Sequence, residues 1–257
     1  MDITKSSNPV LGNNIFSQSV TRDDEEVMTV KGTINKTAIM FLIVLFAATF
    51  TWRKFMGAID PALPGAMPPG LIGWMLGGAI GGFIVALITV FSPRRAAMTA
   101  PIYAVLQGLF LGAVSAMFEA IYPGLVMRAV SLTFGVFFIM LLLFRSGTIR
   151  ATEKFRTVIL AATGGIALVY LVSFVAGMFG ANFGFMHGNS MISIGFSLVV
   201  VVVAALNLIL DFDMITKGAN ARAPQYMEWY GAFGLMVTLI WLYLEMLRLL
   251  SKLSSRD

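Results

Sequence analysis

Residues 190–212 read SMISIGFSLVVVVVAALNLILDF, and this stretch decides the fold class of the chain. It contains no charged side chain before Asp211. A helix that crosses a hydrocarbon core roughly 30 Å thick needs about 20 consecutive, mostly apolar residues. The stretch meets that requirement, so it predicts a transmembrane helix.

Six further apolar stretches share this character, which gives seven predicted membrane spans. They cover approximately residues 37–52, 70–91, 100–122, 129–144, 157–179 and 227–250. The stretches 37–52 and 129–144 are short for a crossing, so we expect flanking Lys and Arg side chains to reach the interface while the bilayer thins locally. The predicted fold class is an all-α membrane protein, a bundle of seven transmembrane helices.

The segments between the spans are short, so consecutive helices are expected to lie antiparallel and close together. We predict a polar N-terminal tail over residues 1–36, the seven-helix transmembrane domain over 37–250 and a short basic tail over 251–257. The N-terminal tail contains no short apolar core followed by a small-residue cleavage site, so no cleavable signal peptide is predicted.

Small residues recur at four-residue spacing in the second and third spans. They are Gly73, Gly77 and Gly81, with Gly78 and Gly82 beside them, and then Gly108 and Gly112. Small residues on one face let two helices approach until their backbones pack together. We therefore expect tight packing between helices of the same chain at these positions.

The composition excludes an ordinary soluble domain and a nucleic-acid-binding protein. Hydrophobic residues make up 58% of the chain and charged residues 12%, against about 45–50% and about 25% in soluble domains. The net charge of +5 comes from Lys and Arg at the ends of apolar stretches, without a basic stripe interleaved with aromatic residues. The lipid bilayer is the predicted partner, and no nucleic acid is expected.

The distribution of Lys and Arg predicts the orientation of the chain. Twelve lie on the side of the membrane that holds the N-terminus and six lie on the other side. Cytoplasmic loops carry the excess of Lys and Arg, so the N-terminus is predicted in the cytoplasm and the C-terminus outside. The basic C-terminal tail is the one element that disagrees with this orientation.

Catalytic motifs and cofactor sites are not found in the sequence. There is no cysteine, and the single histidine, His187, falls between the fifth and sixth spans, so a multi-His metal site or a His-based hydrolase lacks its parts. No Gly-rich phosphate loop followed by Lys-Ser or Lys-Thr occurs. We predict that the protein is not an enzyme and uses no cofactor or bound metal.

Acidic side chains within membrane spans are costly and are candidate functional groups for that reason. Several have a structural explanation. Glu228 opens the seventh span, where the helix dipole favours an anion. Glu245 precedes Arg248 by three residues, a spacing that suits a local ion pair. Glu119 lies near the outer end of the third span and is expected to reach water, as is Asp213.

Asp211 is harder to explain, because it falls in the last turn of the predicted sixth helix, where the dipole disfavours an anion. Arg94 and Arg95 lie on the same predicted side of the membrane and are candidate partners. Asn207, four residues earlier, shares a helical face with Asp211. By depth the acid of the seventh helix that can meet Asp211 is Glu228. Glu245 lies 17 residues after Glu228 on that helix, which places it roughly 25 Å further along.

Two carboxylates close together in a partly dry site cannot both ionise cheaply, so they would share a proton near neutral pH. An arginine between them would favour the ionised, closed pairing. We hypothesise that protonation weakens this carboxylate–arginine–carboxylate contact and frees the helices. This is a physical route to a pH-dependent pore.

Several short motifs occur together in the chain from about residue 70 to the end: Gly108-Leu109-Phe110-Leu111-Gly112, Phe118-Glu119, Pro123-Gly124, Leu210-Asp211-Phe212-Asp213-Met214-Ile215 and Leu242-Tyr243-Leu244-Glu245. With this pattern the chain resembles the Bax inhibitor-1 family, also called the transmembrane BAX inhibitor motif proteins. The segment Ser7-Asn8-Pro9-Val10-Leu11, with the long polar tail around it, is similar to a bacterial branch, which implies the bacterial inner membrane.

The resemblance implies a seven-helix bundle around a central sixth or seventh helix. It also implies a pH-sensitive leak of calcium ions, controlled by two carboxylates near the cytoplasmic end with an arginine between them. Asp211 matches the first carboxylate. The family's Leu-Tyr-Leu-Asp motif selects Glu245 as the second, whereas depth selects Glu228. Arg94 or Arg95 matches the arginine by position.

Two other classes of function use the same residues. A secondary transporter would exchange protons for a cation at these acids. A membrane scaffold that regulates other membrane proteins would use the buried charges only for helix packing. The sequence makes no prediction of the oligomeric state.

Overall fold

Seven long α-helices account for most of a computed structural model of the chain, which describes residues 26–58, 68–179, 188 and 190–255. The helices are α1 (Val30–Met56), α2 (Leu71–Phe91), α3 (Ala96–Ile121), α4 (Leu125–Arg145), α5 (Glu153–Met178), α6 (Met191–Asn220) and α7 (Tyr226–Ser254). All seven are long and apolar enough to cross a membrane. The described residues form no β-strand beyond one isolated bridge. The predicted fold class is confirmed.

The expectation that the first and fourth spans are short is wrong. Helix α1 has 27 residues and α4 has 21, which is enough for a full crossing. The sequence prediction followed only the apolar run, whereas α1 begins earlier, after Thr29, whose hydroxyl caps the backbone N–H of Gly32. The polar residues of its first turns extend the helix beyond the apolar run.

Helix α6 also extends beyond its predicted end at residue 212. It continues to Asn220 and has 30 residues, or roughly 45 Å of length, so it is longer than the hydrocarbon core is thick. Asp211 therefore lies nine residues before the helix end, and the argument that placed it in the last turn is wrong. Helix α7 likewise runs to Ser254, through most of the predicted C-terminal tail.

The chain divides into two compact units. Unit 1 comprises Met1–Pro123 and Asp213–Met236, and unit 2 comprises Gly124–Phe212 and Val237–Asp257. Unit 1 contains α1 to α3, the end of α6 and the start of α7. Unit 2 contains α4, α5 and most of α6 and α7.

Close helix contacts in unit 1 depend on glycine. A Cβ atom built on Gly108 of α3 would meet the carbonyl oxygen of Val44 at 2.6 Å, and one built on Gly78 of α2 would meet the carbonyl oxygen of Leu106 at 2.8 Å. These distances confirm the expected packing within the chain at those two glycines. Gly73, by contrast, has nothing described within 4 Å of its Cβ position, so not all of the glycines serve close packing.

Unit 2 is built around α6. Phe212 of this helix contacts the rings of Phe137 and Phe144 on α4, with centroids 5.8 and 5.7 Å away. On α6 and α5, Val200 and Ile166 form a buried cluster against which Trp241 of α7 packs. This packing holds α5, α6 and α7 together, and polar side chains occur along the same interface.

Candidate functional site

Asp211 lies on α6 in unit 2 and faces α7. Its carboxylate accepts a hydrogen bond from the hydroxyl of Thr238. The Oδ2 atom is buried and has no hydrogen-bond partner among the described residues. A buried carboxylate oxygen without a partner is costly, and an ionisable side chain inside a membrane span is a candidate functional group for that reason.

Asn207 lies one turn before Asp211 but bonds to a different helix. Its Nδ2 donates to the hydroxyl of Thr163 on α5 at 2.9 Å and to the carbonyl of Val203 at 2.8 Å. Asn207 and Thr163 join α6 to α5 near the level where Asp211 and Thr238 join α6 to α7.

Glu245 forms the centre of a second polar cluster in unit 2. Its side chain is 2% exposed, and its oxygens accept from Arg248 Nη1 at 2.9 and 3.1 Å and from the Tyr170 hydroxyl at 3.0 and 3.1 Å. The local ion pair predicted with Arg248 is confirmed.

Tyr170 of α5 completes this cluster, and sequence reasoning missed it. Its hydroxyl accepts from Arg248 Nη1 at 2.6 Å while it donates to Glu245, and the guanidinium carbon of Arg248 lies 5.0 Å from the centroid of its ring. A tyrosine within an apolar span needs a partner for its hydroxyl, and that requirement was the available signal.

Lys252 forms a third cluster, although the sequence placed it in the C-terminal tail. It lies in the last turn of α7 and is 6% exposed. Its ammonium donates to the hydroxyl of Ser197 at 2.7 Å and to the carbonyl of Ser193 at 3.3 Å, both on α6. The charge is therefore enclosed within unit 2.

The three clusters follow one line along α7. Thr238, Glu245 and Lys252 are spaced seven residues apart, which places them on nearly the same face of a helix, about 10.5 Å from one to the next. We call the line formed by Asp211, Thr238, Glu245 and Lys252 the polar seam. It covers roughly 21 Å of α7, most of the thickness of a hydrocarbon core.

Glu228 belongs to unit 1 and is fully engaged there. It is 3% exposed, forms a salt bridge of 2.5 Å with Lys36 of α1 and accepts from the backbone N–H and hydroxyl of Thr29 at 2.8 and 2.9 Å. Its predicted position in the first turn of α7 is confirmed. The ion pair with α1 could not be seen in the sequence.

The segment before α1 holds Thr29 in place. Val27 and Pro224 form an antiparallel bridge, and the backbone N–H of Met28 donates to the carbonyl of Ala223 at 2.7 Å. The Gln225 side chain also bonds to Glu26. Part of the predicted polar tail is thus attached to the connection between α6 and α7.

The remaining candidate residues have separate environments. Asp213 was expected to be wet, but only 16% of its side chain is exposed and it pairs with Lys217 at 2.8 Å, so that expectation is wrong. Glu119 is half-buried near the end of α3. Arg94 and Arg95 are exposed in the 3-10 turn between α2 and α3 in unit 1.

The second acid and the arginine that were expected beside Asp211 stay predictions. Asp211 and its Thr238 contact belong to unit 2, whereas Glu228, Arg94 and Arg95 belong to unit 1. The pairing of Asp211 with a second acid and an arginine is therefore not established. His187 lies outside the described residues. Within the described ranges, no group of three or more His, Asp or Glu side chains could hold a metal ion.

The family comparison bears on the whole chain. A family model described as Bax inhibitor 1 like matches residues 8–255. The chain belongs to this family. Membership confirms the resemblance found in the motifs and extends it over nearly the whole chain. The Bax inhibitor 1 like family is not known as a family of enzymes. No curated protein and no solved structure matches the chain.

Proposed function

We propose that this Bax inhibitor 1 like protein is a cation leak channel that passes calcium ions and opens when Asp211 is protonated. The observation that carries the proposal is the buried Oδ2 of Asp211, which has no partner among the described residues, at one end of the polar seam. The proposal places the protein in the bacterial inner membrane with its N-terminus in the cytoplasm, in keeping with the excess of Lys and Arg on that side.

Protonation changes the contact between α6 and α7. When Asp211 is ionised, the Thr238 hydroxyl donates to a negative oxygen, and such charge-assisted hydrogen bonds are roughly twice as strong as neutral ones. Holding the charge in a membrane span costs roughly 2.5–3.5 kcal/mol on insertion scales. Protonation removes both the charge and the strong hydrogen bond, which loosens the helix contact at this level.

The polar seam supplies the surface along which an ion can pass. Ionisable side chains inside membrane proteins line ion pathways and proton relays. Below Asp211 and Thr238, the seam continues through Glu245, whose carboxylate is the next negative group, to Lys252. A cation that enters at Asp211 therefore meets polar groups at intervals of about two helical turns.

A second acid and an arginine remain part of the proposal and are tested separately. Glu228 is held by Lys36 and Thr29, so its participation requires that ion pair to break. Arg94 and Arg95 are exposed and have side chains long enough to reorient. Charge-neutral variants of these three residues will show whether any of them shifts the pH at which the leak opens.

Purified protein in liposomes loaded with a calcium-sensitive dye tests the function. We expect calcium flux through the parent protein to increase as the pH falls from about 8 to about 6, because the closed, ionised form of Asp211 is lost. Asp211→Asn resembles the protonated acid, so its flux should be high at both pH values.

The other two classes of function give different results in the same assay. A proton-coupled transporter would show flux that saturates with calcium concentration and requires a proton gradient in the opposite direction. A non-conducting scaffold would show no flux in any variant, while Asp211→Asn would alter folding or the capture of partner proteins. Either result would contradict the leak-channel proposal.

A further inference from the structure

Lys252 is a buried cation held by oxygens of a neighbouring helix. Its ammonium contacts the hydroxyl of Ser197 and the carbonyl of Ser193, and the residue is 6% exposed. An ammonium group has three N–H donors, and two have acceptors. None of the ion pairs among the described residues includes Lys252, although a buried charge normally has an ionic partner.

Ser193 offers a second oxygen that is not used. The residue is 0% exposed, and its Oγ has no hydrogen-bond partner among the described residues. The oxygens that contact the Lys252 ammonium are therefore the Ser193 carbonyl and the Ser197 hydroxyl, from the first two turns of α6. Carbonyl and hydroxyl oxygens also replace the hydration shell of Na⁺ and K⁺ in membrane proteins.

Neither the helix dipole nor contact with surface water explains this arrangement. A cation in the last turn of a helix is favoured by the dipole, which explains the sign of the charge but not the oxygens from α6. A lysine near a membrane surface normally extends its ammonium into water. The 6% exposure of Lys252 shows that it does not do so.

Lys252 determines the net charge at its end of the polar seam. Glu245 and Arg248 lie on the preceding turns of α7 and act on Lys252 through space. Because Glu245 and Arg248 form an ion pair, their charges cancel. Lys252 then leaves this end of the polar seam with one net positive charge, and its neutralisation would remove that charge.

We propose that Ser193 and Ser197 form an oxygen site for a monovalent cation such as Na⁺ or K⁺, and that the Lys252 ammonium occupies it as a tethered cation. In a conducting protein the tethered cation closes this end of the seam to free cations. This second statement rests on the function proposed above, whereas the binding site itself does not.

Thermal unfolding of the full-length protein in detergent tests the site without any need for conduction. Lys252→Met removes the charge and keeps the length of the side chain. In KCl or NaCl, compared with N-methyl-D-glucamine chloride at equal ionic strength, we expect the Tm of Lys252→Met to increase by about 2–4 °C. The parent and Lys252→Arg should show no such increase, because a tethered cation already fills the site.

The double variant Lys252→Met/Ser197→Ala is the matched control and should lose the increase. Lys252→Ala, a second neutral variant, replaces Lys252→Met if the latter does not fold. If the Tm of Lys252→Met is the same in KCl, NaCl and N-methyl-D-glucamine chloride, the proposal is overturned. The same conclusion follows if the double variant keeps the full increase, because Ser197 would then not be a ligand.

Flux measurements separate the two proposals. If the parent conducts calcium, Lys252→Met should leak several-fold more at about pH 8, whereas Lys252→Arg should match the parent. If the parent does not conduct at any pH, the leak-channel function fails while the Tm measurement still decides the cation site. If the parent conducts and Lys252→Met leaks no more than the parent, the tethered cation does not close the seam.

Discussion

Asp211 on α6 accepts its hydrogen bond from Thr238 on α7, so within unit 2 the buried carboxylate faces a neutral hydroxyl group. The sequence had suggested two acids sharing a proton. With Thr238 as its only partner, the carboxylate takes up one proton independently, and its titration is then a simple one-site curve; participation of Glu228 would replace that curve. A coupled pair would instead titrate in two separated steps.

Thr238→Asp should therefore convert the contact into a carboxylate pair. Two carboxylates in contact cannot both be ionised cheaply, so the pair of Asp211 and the new aspartate keeps one proton up to a higher pH. We expect the pH of half-maximal calcium flux to increase by at least about one unit. Thr238→Ser keeps the hydroxyl and serves as the control, with an unchanged midpoint. An identical midpoint in Thr238→Asp and the parent would show that position 238 does not act on Asp211.

Tyr170→Phe should destabilise unit 2. The substitution removes the hydroxyl that donates to Glu245 and accepts from Arg248, and a buried polar group that loses a partner costs about 1–3 kcal/mol. Denaturant unfolding in detergent measures the change. Tyr226→Phe is the control, because the hydroxyl of Tyr226 takes part in no hydrogen bond within the described residues. Equal stability of the two variants would contradict the assigned role of Tyr170.

Lys36→Met should leave Glu228 buried without its cationic partner. Removal of one partner of a buried ion pair costs up to about 3–5 kcal/mol of unfolding free energy. We expect a cost at the lower end of this range, because 20% of the Lys36 side chain is exposed and the pair is therefore not fully buried. The double variant Lys36→Met/Glu228→Gln should recover part of the loss, because no unpaired charge remains. Lys31→Met, an exposed position on the same helix, is the control in unfolding measurements. If Lys36→Met unfolds like Lys31→Met, the ion pair contributes nothing to stability.

Gly108→Ala should destabilise unit 1, whereas Gly73→Ala should not. The new Cβ at position 108 would overlap the backbone of α1, and forcing helices apart costs roughly 1–3 kcal/mol. At Gly73 the space is open, and alanine favours a helix by roughly 0.5–1 kcal/mol over glycine. The two variants should move the unfolding free energy in opposite directions. A shift of the same sign in both would show that α1 and α3 do not pack as described.

The spans were predictable from the sequence, but the helix ends were not. An apolar run of about 20 residues has few alternatives to a membrane helix. Hydropathy marks the part of a helix inside the hydrocarbon, however, and not the part beyond it. For this reason α6 was predicted to end at residue 212, while its polar final turns, with Asp213 paired to Lys217, continue to Asn220.

Contacts within one helix were predictable, and contacts between helices were not. The ion pair of Glu245 with Arg248 follows from a three-residue spacing. Each of Thr238, Tyr170 and Lys36 lies on a different helix from the acid that it contacts. These contacts depend on the register between the helices, which one sequence does not reveal. The seven-residue spacing of Thr238, Glu245 and Lys252 was present in the sequence and is the signal that sequence reasoning overlooked.

The ratio of calcium flux at about pH 6 to flux at about pH 8 tests the central claim most directly when Asp211→Asn is compared with the parent in the same liposomes. Our account predicts a ratio of roughly ten or more for the parent, because a one-site titration spans about two pH units, and a ratio close to one for the variant. A variant that keeps the parent's ratio would contradict the account, because Asp211 would then not be the group that senses pH.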